Sequence, residues 1–261
     1  TTMTARLDVQ TSDGVMLLTI DNPAQRNALN PDIGRSATAA LRLAATDPAV
    51  RAAVFTGSGE HFCSGGNLAT MREFLDKPRA DVVERIGVLN ELVRSMRQFP
   101  KPIIAAVEGA AAGAGFSLAL ASDLIVAARD ARFTMAYVKI GISPDGAPTL
   151  LLPRALPMQL ASELLMEGVP IGAERLYQAG VINRLVDKGQ ALADAQTWAQ
   201  KLAQRYYTKT VSTFLLTGAV RDLQPLTQED GSKGYGTLKT FLSDELFGGR
   251  DHVVYYDRSS G

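Results

Sequence analysis

The sequence is poor in the residues that mark several classes of protein. Its 261 residues contain one cysteine, Cys63, which excludes an internal disulfide and is typical of a reducing compartment. It has two histidines, His61 and His252, and no cluster of cysteine and histidine, so we expect no metal site. Basic and acidic residues balance at 27 each without a basic stripe, so nucleic acid is not an expected partner.

Signals for membranes and secretion are lacking as well. The longest apolar run is too short and too rich in glycine to span a bilayer, so we expect no membrane association. The segment TTMTARLDVQTSDG, at 1–14, lacks the charged start and apolar stretch of a secretory signal, which favours a cytoplasmic location. Hydrophobic residues make up 46% of the chain, enough for one large domain with or without a small appendage.

Short, uninterrupted apolar runs predict strands that are buried on both faces. They lie at Val15–Ile20, Arg51–Thr56, Ile103–Val107 and Leu124–Ala128. Segments with helical periodicity separate them, the longest at Asp81–Gln98. Strands that alternate with helices predict an α/β fold with a mostly parallel sheet.

Beyond Met158 helical patterns dominate, and Val181–Val186 is the one further strand that we expect. We therefore expect a core over residues 1–195 and a helical C-terminal region over 196–261. Trp198 lies on the apolar face of one of these helices, where a role in the core is expected. The last residues, 251–261, carry no recognisable fold signal.

Two glycine-rich junctions between a strand and a helix are candidates for binding negative charge. One follows Ile103–Val107 and contains Gly113 and Gly115, and the other is the loop Gly57–Leu68. Uncovered amide groups at a helix start attract an anion, and two such loops could direct two N–H donors at one oxygen. The alternative is that Ala and Gly merely allow a helix to pack tightly on the sheet.

Two side chains in these junctions resemble nucleophiles. Cys63 could act with His61 as its base, but residues two apart in a loop rarely face each other, so a buried filler is favoured. Ser117 nearly matches the G-x-S-x-G elbow of serine hydrolases, yet it lies well past the strand, which argues against that role.

Asp145 is the candidate acid or base. Its segment Pro144-Asp145-Gly146 is a turn signature, so the aspartate could serve only the turn. Apolar segments at 138–142 and 150–152 flank it, so its carboxyl could instead face a dry cavity, where it would be a stronger base. The pattern alone leaves both interpretations open.

Taken together, the segments at 22–30, 61–68, 101–123 and 140–154 resemble the crotonase (enoyl-CoA hydratase/isomerase) superfamily. The resemblance implies an α/β fold made of a spiral of ββα units, with a helical C-terminal trimerisation region. It also implies homotrimers or dimers of trimers. The substrate would be an acyl-CoA thioester, and no cofactor is implied beyond the coenzyme A that the substrate carries.

The same resemblance assigns roles to individual residues. In this family two backbone amides hold the thioester oxygen as an enolate forms, and by motif position they are those of Gly66 and Ala114. Further positions would contact the coenzyme A or the acyl group, namely Arg26, Ala28, Ser64, Leu68, Tyr137 and Phe241.

Departures from the family pattern bear on the reaction. Hydratases of this family use two glutamates, and Ser117 and Tyr137 stand at those positions. Asp145 fills a third acidic position that isomerases use, whereas the histidine and tryptophan of the dehalogenases are replaced by Asn90 and Tyr137. One carboxylate suffices for a 1,3-proton shift, so an isomerase is favoured. The alternatives are a hydratase or lyase, a hydrolase, and an acyl-CoA-binding protein without activity.

Overall fold

The computed structural model describes residues 5–67 and 78–204, together with two strands at 238–242 and 252–256. The chain divides into two compact units, Thr1–Tyr207 and Thr208–Gly261. Among the helices within these ranges, none is long and apolar enough to cross a membrane.

The first unit alternates strands with helices, as the sequence predicts. Its strands are β1 (Arg6–Ser12), β2 (Val15–Asp21), β3 (Ala52–Gly57), β4 (Ile103–Val107), β5 (Ala110–Ala112), β6 (Leu124–Ala128), β7 (Arg132–Thr134), β8 (Ile171–Gly172) and β9 (Arg184–Val186). Its helices are α1 (Pro31–Thr46), α2 (Arg79–Gln98), α3 (Ala114–Ala121), α4 (Pro148–Ala155), α5 (Met158–Glu167), α6 (Ala173–Gln178) and α7 (Ala191–Ala203), and it has short 3-10 turns at Pro23–Gln25 and Ala136–Ile140.

A six-stranded sheet in the order β1-β2-β3-β4-β6-β9 forms the centre of this unit. β1 runs antiparallel to β2, and the other neighbours are parallel. Every residue of β4 is buried, because helices cover both faces of a parallel sheet. A second sheet, β5-β7-β8, lies beyond the ends of β4 and β6, so β4, β5 and α3 follow one another as a ββα unit. The predicted α/β class is confirmed.

Four elements of the first unit were not predicted. β1 is an edge strand whose side chains are mostly exposed, so its segment RLDVQTS has no apolar run. β5 and β8 are too short for a periodic signal. α4 carries Pro153 in its interior, a residue that usually ends a helix.

The two faces of the sheet bury separate hydrophobic clusters. The larger one contains Phe55, Leu92 and Phe116, and it includes residues of α1, α2 and α3. On the other face, small side chains at four-residue spacing let α7 lie close to the strands, namely Ala191, Ala195, Ala199 and Ala203. The helix therefore crosses the expected boundary between 195 and 196, and the first unit extends to Tyr207.

Trp198 packs at the margin of this second cluster, where it is partly buried. The guanidinium of Arg184 stacks over its ring at 3.8 Å from the centroid, and Arg184 also donates to Asp194 at 3.0 Å. The indole thus combines apolar packing with a cation–π contact.

The described part of the second unit is a pair of antiparallel strands, β10 (Leu238–Leu242) and β11 (His252–Tyr256). The expected helical region, 196–261, includes β10, which is a strand instead. No fold was expected for 251–261, although its segment HVVYY is rich in β-branched and aromatic residues, which favour strands. The predicted role in trimerisation is not tested by these strands and stays a prediction.

A larger side chain in place of one of the four buried alanines of α7 tests the close contact between this helix and the sheet. We expect Ala195→Leu to lower the free energy of unfolding by about 1–3 kcal/mol, because the fully buried position has no room for a larger side chain. Ala193→Leu is the matched control, since Ala193 is exposed on the same helix. Urea unfolding followed by circular dichroism measures both, and equal stabilities would contradict the described packing.

Candidate active site

The loop after β3 lies against the segment that precedes α1. The Leu29 amide donates to the Gly65 carbonyl at 2.8 Å, and the Ser64 amide donates to the Arg26 carbonyl at 2.9 Å. Arg26 adopts left-handed backbone with φ of 51°, which turns the chain at this point. The structure thus brings Arg26, Ala28 and Ser64 onto neighbouring stretches of backbone. The family resemblance implies that these three residues contact the coenzyme A or the acyl group.

The same loop pairs on its other side with β5. The Cys63 amide donates to the Ala110 carbonyl at 3.0 Å, and the Ala112 amide donates to the Cys63 carbonyl at 2.9 Å. Gly65 has φ of 92°, and a Cβ added there would lie 2.7 Å from the Ala112 carbonyl oxygen. The two glycine-rich junctions therefore meet backbone to backbone, and only glycine fits at this crossing.

The two amides that were assigned to the thioester oxygen lie on either side of this contact. A Cβ on Gly65 would lie 3.3 Å from the Ala114 nitrogen, so the loop residue next to Gly66 touches the start of α3. Ala114 is the first residue of α3, so its amide has no partner within the helix and carries the positive end of the helix dipole. Among the described residues, the Gly66 amide has no hydrogen-bond acceptor either.

Gly115 makes the closest approach in this region. A Cβ there would collide with the Cys63 carbonyl oxygen and would lie 2.8 Å from the Cys63 Cβ. Cys63 is fully buried, and burial raises the pKa of its thiol to about 12, which a hydrogen bond from the Gly65 amide opposes. A thiol that stays protonated is a poor nucleophile, so the prediction of a buried filler is confirmed.

Hydrogen bonds of His61 and Asn27 hold the loop after β3 in place. The Nδ1 atom of His61 accepts from the Ala110 amide at 3.2 Å, so this nitrogen is engaged by backbone. Asn27 is fully buried, and its Nδ2 donates to the carbonyls of Ser58 and His61 at 2.8 and 2.6 Å. Sequence reasoning missed Asn27, although an asparagine in a tight polar loop is a known signal for left-handed backbone, and its φ is 57°.

A second cluster gathers Ser117 and Tyr137 at the turn that contains Asp145. The Tyr137 hydroxyl donates to the backbone carbonyl of Asp145 at 3.0 Å, and the Ser117 hydroxyl donates to the same carbonyl at 3.3 Å. The two hydroxyl oxygens are 3.3 Å apart. On the far side of the turn, Asn90 Oδ1 accepts from the Gly146 amide at 3.1 Å.

Burial sets the ionisation of this cluster. It raises the pKa of the Asp145 carboxyl above its ordinary value, while hydrogen bonds from the Tyr137 hydroxyl and from the backbone act in the opposite direction. Burial, followed by the nearby charge of Asp145, also raises the pKa of Tyr137. Tyr137 therefore stays protonated as a donor, and Asp145 becomes a stronger base than an exposed aspartate.

The cluster of Ser117, Tyr137 and Asp145 borders the start of α3. A Cβ on Gly113, which has φ of 52°, would lie 3.9 Å from the Tyr137 ring. Gly113 directly precedes Ala114, so the structure brings the Asp145 turn and the Ala114 amide to the same end of α3.

The remaining predicted residues are not placed in this way: Leu68 lies outside the described residues, and Phe241 lies on β10 of the second unit.

The fold and these junctions define the class of the protein. A mixed α/β core with ββα units and these motifs is that of the crotonase superfamily, as the sequence indicates. The model of the enoyl-CoA hydratase/isomerase family matches residues 10–230, and the chain belongs to this family. It is therefore an enzyme of the enoyl-CoA hydratase/isomerase kind.

Relatives within the family carry out different reactions. The chain is 38% identical over 199 residues to the 1,2-epoxyphenylacetyl-CoA isomerase of Escherichia coli, covering 75% of this chain and 74% of the relative. It is 34% identical over 201 residues to the 2,3-dehydroadipyl-CoA hydratase of the same organism, covering 77% and 76%. An enoyl-CoA hydratase structure from Polaromonas matches with a TM-score of 0.75 and 44% identity over 77% of this chain and 78% of that one.

The close approach at Gly115 generates a prediction. We expect Gly115→Ala to destabilise the protein by about 1–3 kcal/mol, because its Cβ would meet the Cys63 backbone. Gly87→Ala is the control: Gly87 lies in α2 with nothing within 4 Å of an added Cβ, so alanine should stabilise by about 0.5–1 kcal/mol. Urea unfolding of both variants measures the difference, and a Gly115→Ala protein as stable as wild type would contradict the contact.

Proposed function

We propose that this protein is an acyl-CoA isomerase that moves a double bond, or opens a ring, through a thioester enolate. Asp145 carries the proton, and the amides of Gly66 and Ala114 hold the enolate oxygen. The observation that supports this best is the composition of the Asp145 cluster. Among the described residues, the carboxyl of Asp145 is the one carboxyl group in this cluster. The hydroxyls of Ser117 and Tyr137 stand where, by the family resemblance, hydratases carry glutamates.

In the proposed reaction the thioester carbonyl oxygen accepts from the two amides. The Asp145 carboxylate takes a proton from the α carbon of a β,γ-enoyl thioester, and the electron pair moves onto the carbonyl oxygen. The same carboxyl then returns the proton to the γ carbon, which leaves the α,β-enoyl isomer with unchanged mass. Each amide directed at a developing oxyanion contributes typically about 100- to 1000-fold in rate.

The environment of Asp145 suits this double role. A group that first accepts and then donates a proton works best when its pKa lies near the working pH, and burial moves Asp145 in that direction. Tyr137 and Ser117 donate to the backbone of Asp145, so they orient the turn without competing for the proton of the substrate. Tyr137 would also border the acyl group, since its ring lies beside the start of α3.

A hydratase, or a lyase that runs the reverse reaction, is the second candidate. In that reaction Asp145 would act on a bound water, and the similarity to the 2,3-dehydroadipyl-CoA hydratase favours it. Assembly into homotrimers or dimers of trimers and a cytoplasmic location stay predictions from the resemblance.

A panel of CoA thioesters distinguishes these functions. It contains β,γ-enoyl-, α,β-enoyl- and arylacetyl-type substrates and is read by absorbance and mass spectrometry. We expect conversion of the β,γ-enoyl thioester without a change of mass. Asp145→Asn should lower kcat by about 100- to 10,000-fold, because the amide cannot take the proton. Asp130→Asn is the control, since Asp130 is an exposed acid in the turn that precedes β7.

Other outcomes of the panel identify the alternatives. Gain of one water by the α,β-enoyl thioester would identify a hydratase and reject the isomerase. Binding of the thioesters without turnover of any of them would reject the proposed isomerase. An isomerisation rate that Asp145→Asn leaves untouched would remove the role given to Asp145.

The pH dependence of kcat/KM gives an independent prediction. The base must be ionised, so activity is present above the pKa of Asp145 and is lost as the pH falls through it. Because burial raises that pKa, the acidic limb should lie above the ordinary aspartate value of 3.8. Tyr137→Phe removes a hydroxyl whose presence lowers the pKa of the nearby Asp145 carboxyl, so the limb should move to still higher pH. A limb at the ordinary value in wild type would contradict the effect of partial burial on Asp145.

A further inference from the structure

We propose that Asn90, on α2, is a positioning residue that fixes the Asp145–Gly146 peptide and so presents the Asp145 carboxyl to the substrate. The inference rests on the proposed function, because it assigns Asn90 to the reaction that Asp145 performs. Sequence reasoning named Asn90 only as a replacement for a histidine. Its side chain does not serve α2, since it accepts a hydrogen bond from a turn 56 residues further along the chain.

The peptide that follows Asp145 is held at both ends. Its carbonyl oxygen accepts from the hydroxyls of Tyr137 and Ser117, at 3.0 and 3.3 Å, and its N–H group donates to Asn90 Oδ1 at 3.1 Å. A peptide group is planar, so fixing its oxygen and its hydrogen fixes the orientation of the whole plane. This plane sets the backbone angle ψ of Asp145, and it thereby restrains the direction in which the Cα–Cβ bond of Asp145 leaves the turn.

The turn needs such support because its backbone is unfavourable. Gly146 and Ala147 both adopt left-handed conformations, with φ of 69° and 61°. Glycine tolerates this region, but alanine does so only at a cost in free energy. Strained backbone of this kind persists where the surrounding structure determines it, and Asn90 holds the amide of the first of these two residues.

Close packing on both sides restricts the position of the Asp145–Gly146 turn. Gly146 is buried, and a Cβ there would lie 3.0 Å from the Ser117 Cβ and 3.2 Å from the Leu89 Cδ2. Leu89 is the neighbour of Asn90 on α2, so the turn lies between α2 and α3. Apolar packing alone leaves the rotation of the peptide open, and the hydrogen bond to Asn90 selects the rotation that points its N–H group to α2.

Asparagine suits this position because its Oδ1 atom accepts the hydrogen bond from the Gly146 amide. Leucine has a similar volume but no acceptor, so Asn90→Leu would leave the buried Gly146 amide without its partner. Aspartate keeps an oxygen at the same place, so Asn90→Asp should retain the hydrogen bond. These two substitutions separate the acceptor from the shape of the side chain.

The test measures kcat, KM and the melting temperature with a β,γ-enoyl-CoA substrate. We expect Asn90→Leu to lower kcat by about 10- to 100-fold with KM within about twofold, because a misplaced base slows the chemistry and leaves the binding of coenzyme A intact. Asn90→Asp should recover most of kcat. Glu84→Leu, at an exposed position of the same helix, is the matched control and should leave kcat and KM unchanged. Asn90→Ala serves as a second truncation if the leucine variant does not fold.

Two results would overturn the inference. One is a truncated Asn90 variant whose kcat stays within about twofold of wild type. The other is a loss of kcat that Asn90→Asp does not recover and that parallels a fall in melting temperature. Failure of the proposed function is separate: it follows if Asp145→Asn leaves isomerisation untouched. Isomerisation that depends on Asp145 but not on Asn90 rejects the positioning role alone.

Discussion

The first turn of α3 lies directly on the backbone of the loop that follows β3, and the rest of the site depends on this contact. It exists because Gly115 carries no side chain, so the helix can approach the Cys63 carbonyl. Cys63 in turn is small and buried, and it pairs with β5 through two backbone hydrogen bonds. A larger residue at either position would separate the two glycine-rich junctions, and with them the amides that flank the contact.

The same helix connects the amides to the proposed base. Its first residue supplies the Ala114 amide, and one turn later Ser117 reaches the carbonyl of Asp145. The Tyr137 ring lies beside Gly113 and completes this connection. A developing oxyanion and a proton carrier can therefore be held in fixed relation by one buried helix, in surroundings where burial strengthens electrostatic interactions and raises the pKa of Asp145.

The family shares one fold among several reactions, and the chain is about equally similar to an isomerase and to hydratases. Overall identity is therefore a poor guide to the reaction, since the fold supplies the binding of the thioester in each case. The number and placement of carboxyl groups around the acyl carbons bear on the reaction more directly. In this chain the hydroxyls of Ser117 and Tyr137 bind the backbone carbonyl of Asp145, the proposed base.

Apolar runs and helical periodicity, as properties of single segments, were enough to predict the α/β class, the buried strands β2, β3, β4 and β6, and a buried Cys63. The glycine-rich junctions were also recognisable, because a strand, glycines and a helix follow one another in the chain. Tertiary structure decided what distant segments do to each other: the short strands β5 and β8, the loop contacts of Asn27, and the hydrogen bond from Gly146 to Asn90. The reason is that periodicity reports whether a segment is buried, whereas the partner of a buried polar group depends on how separate segments pack.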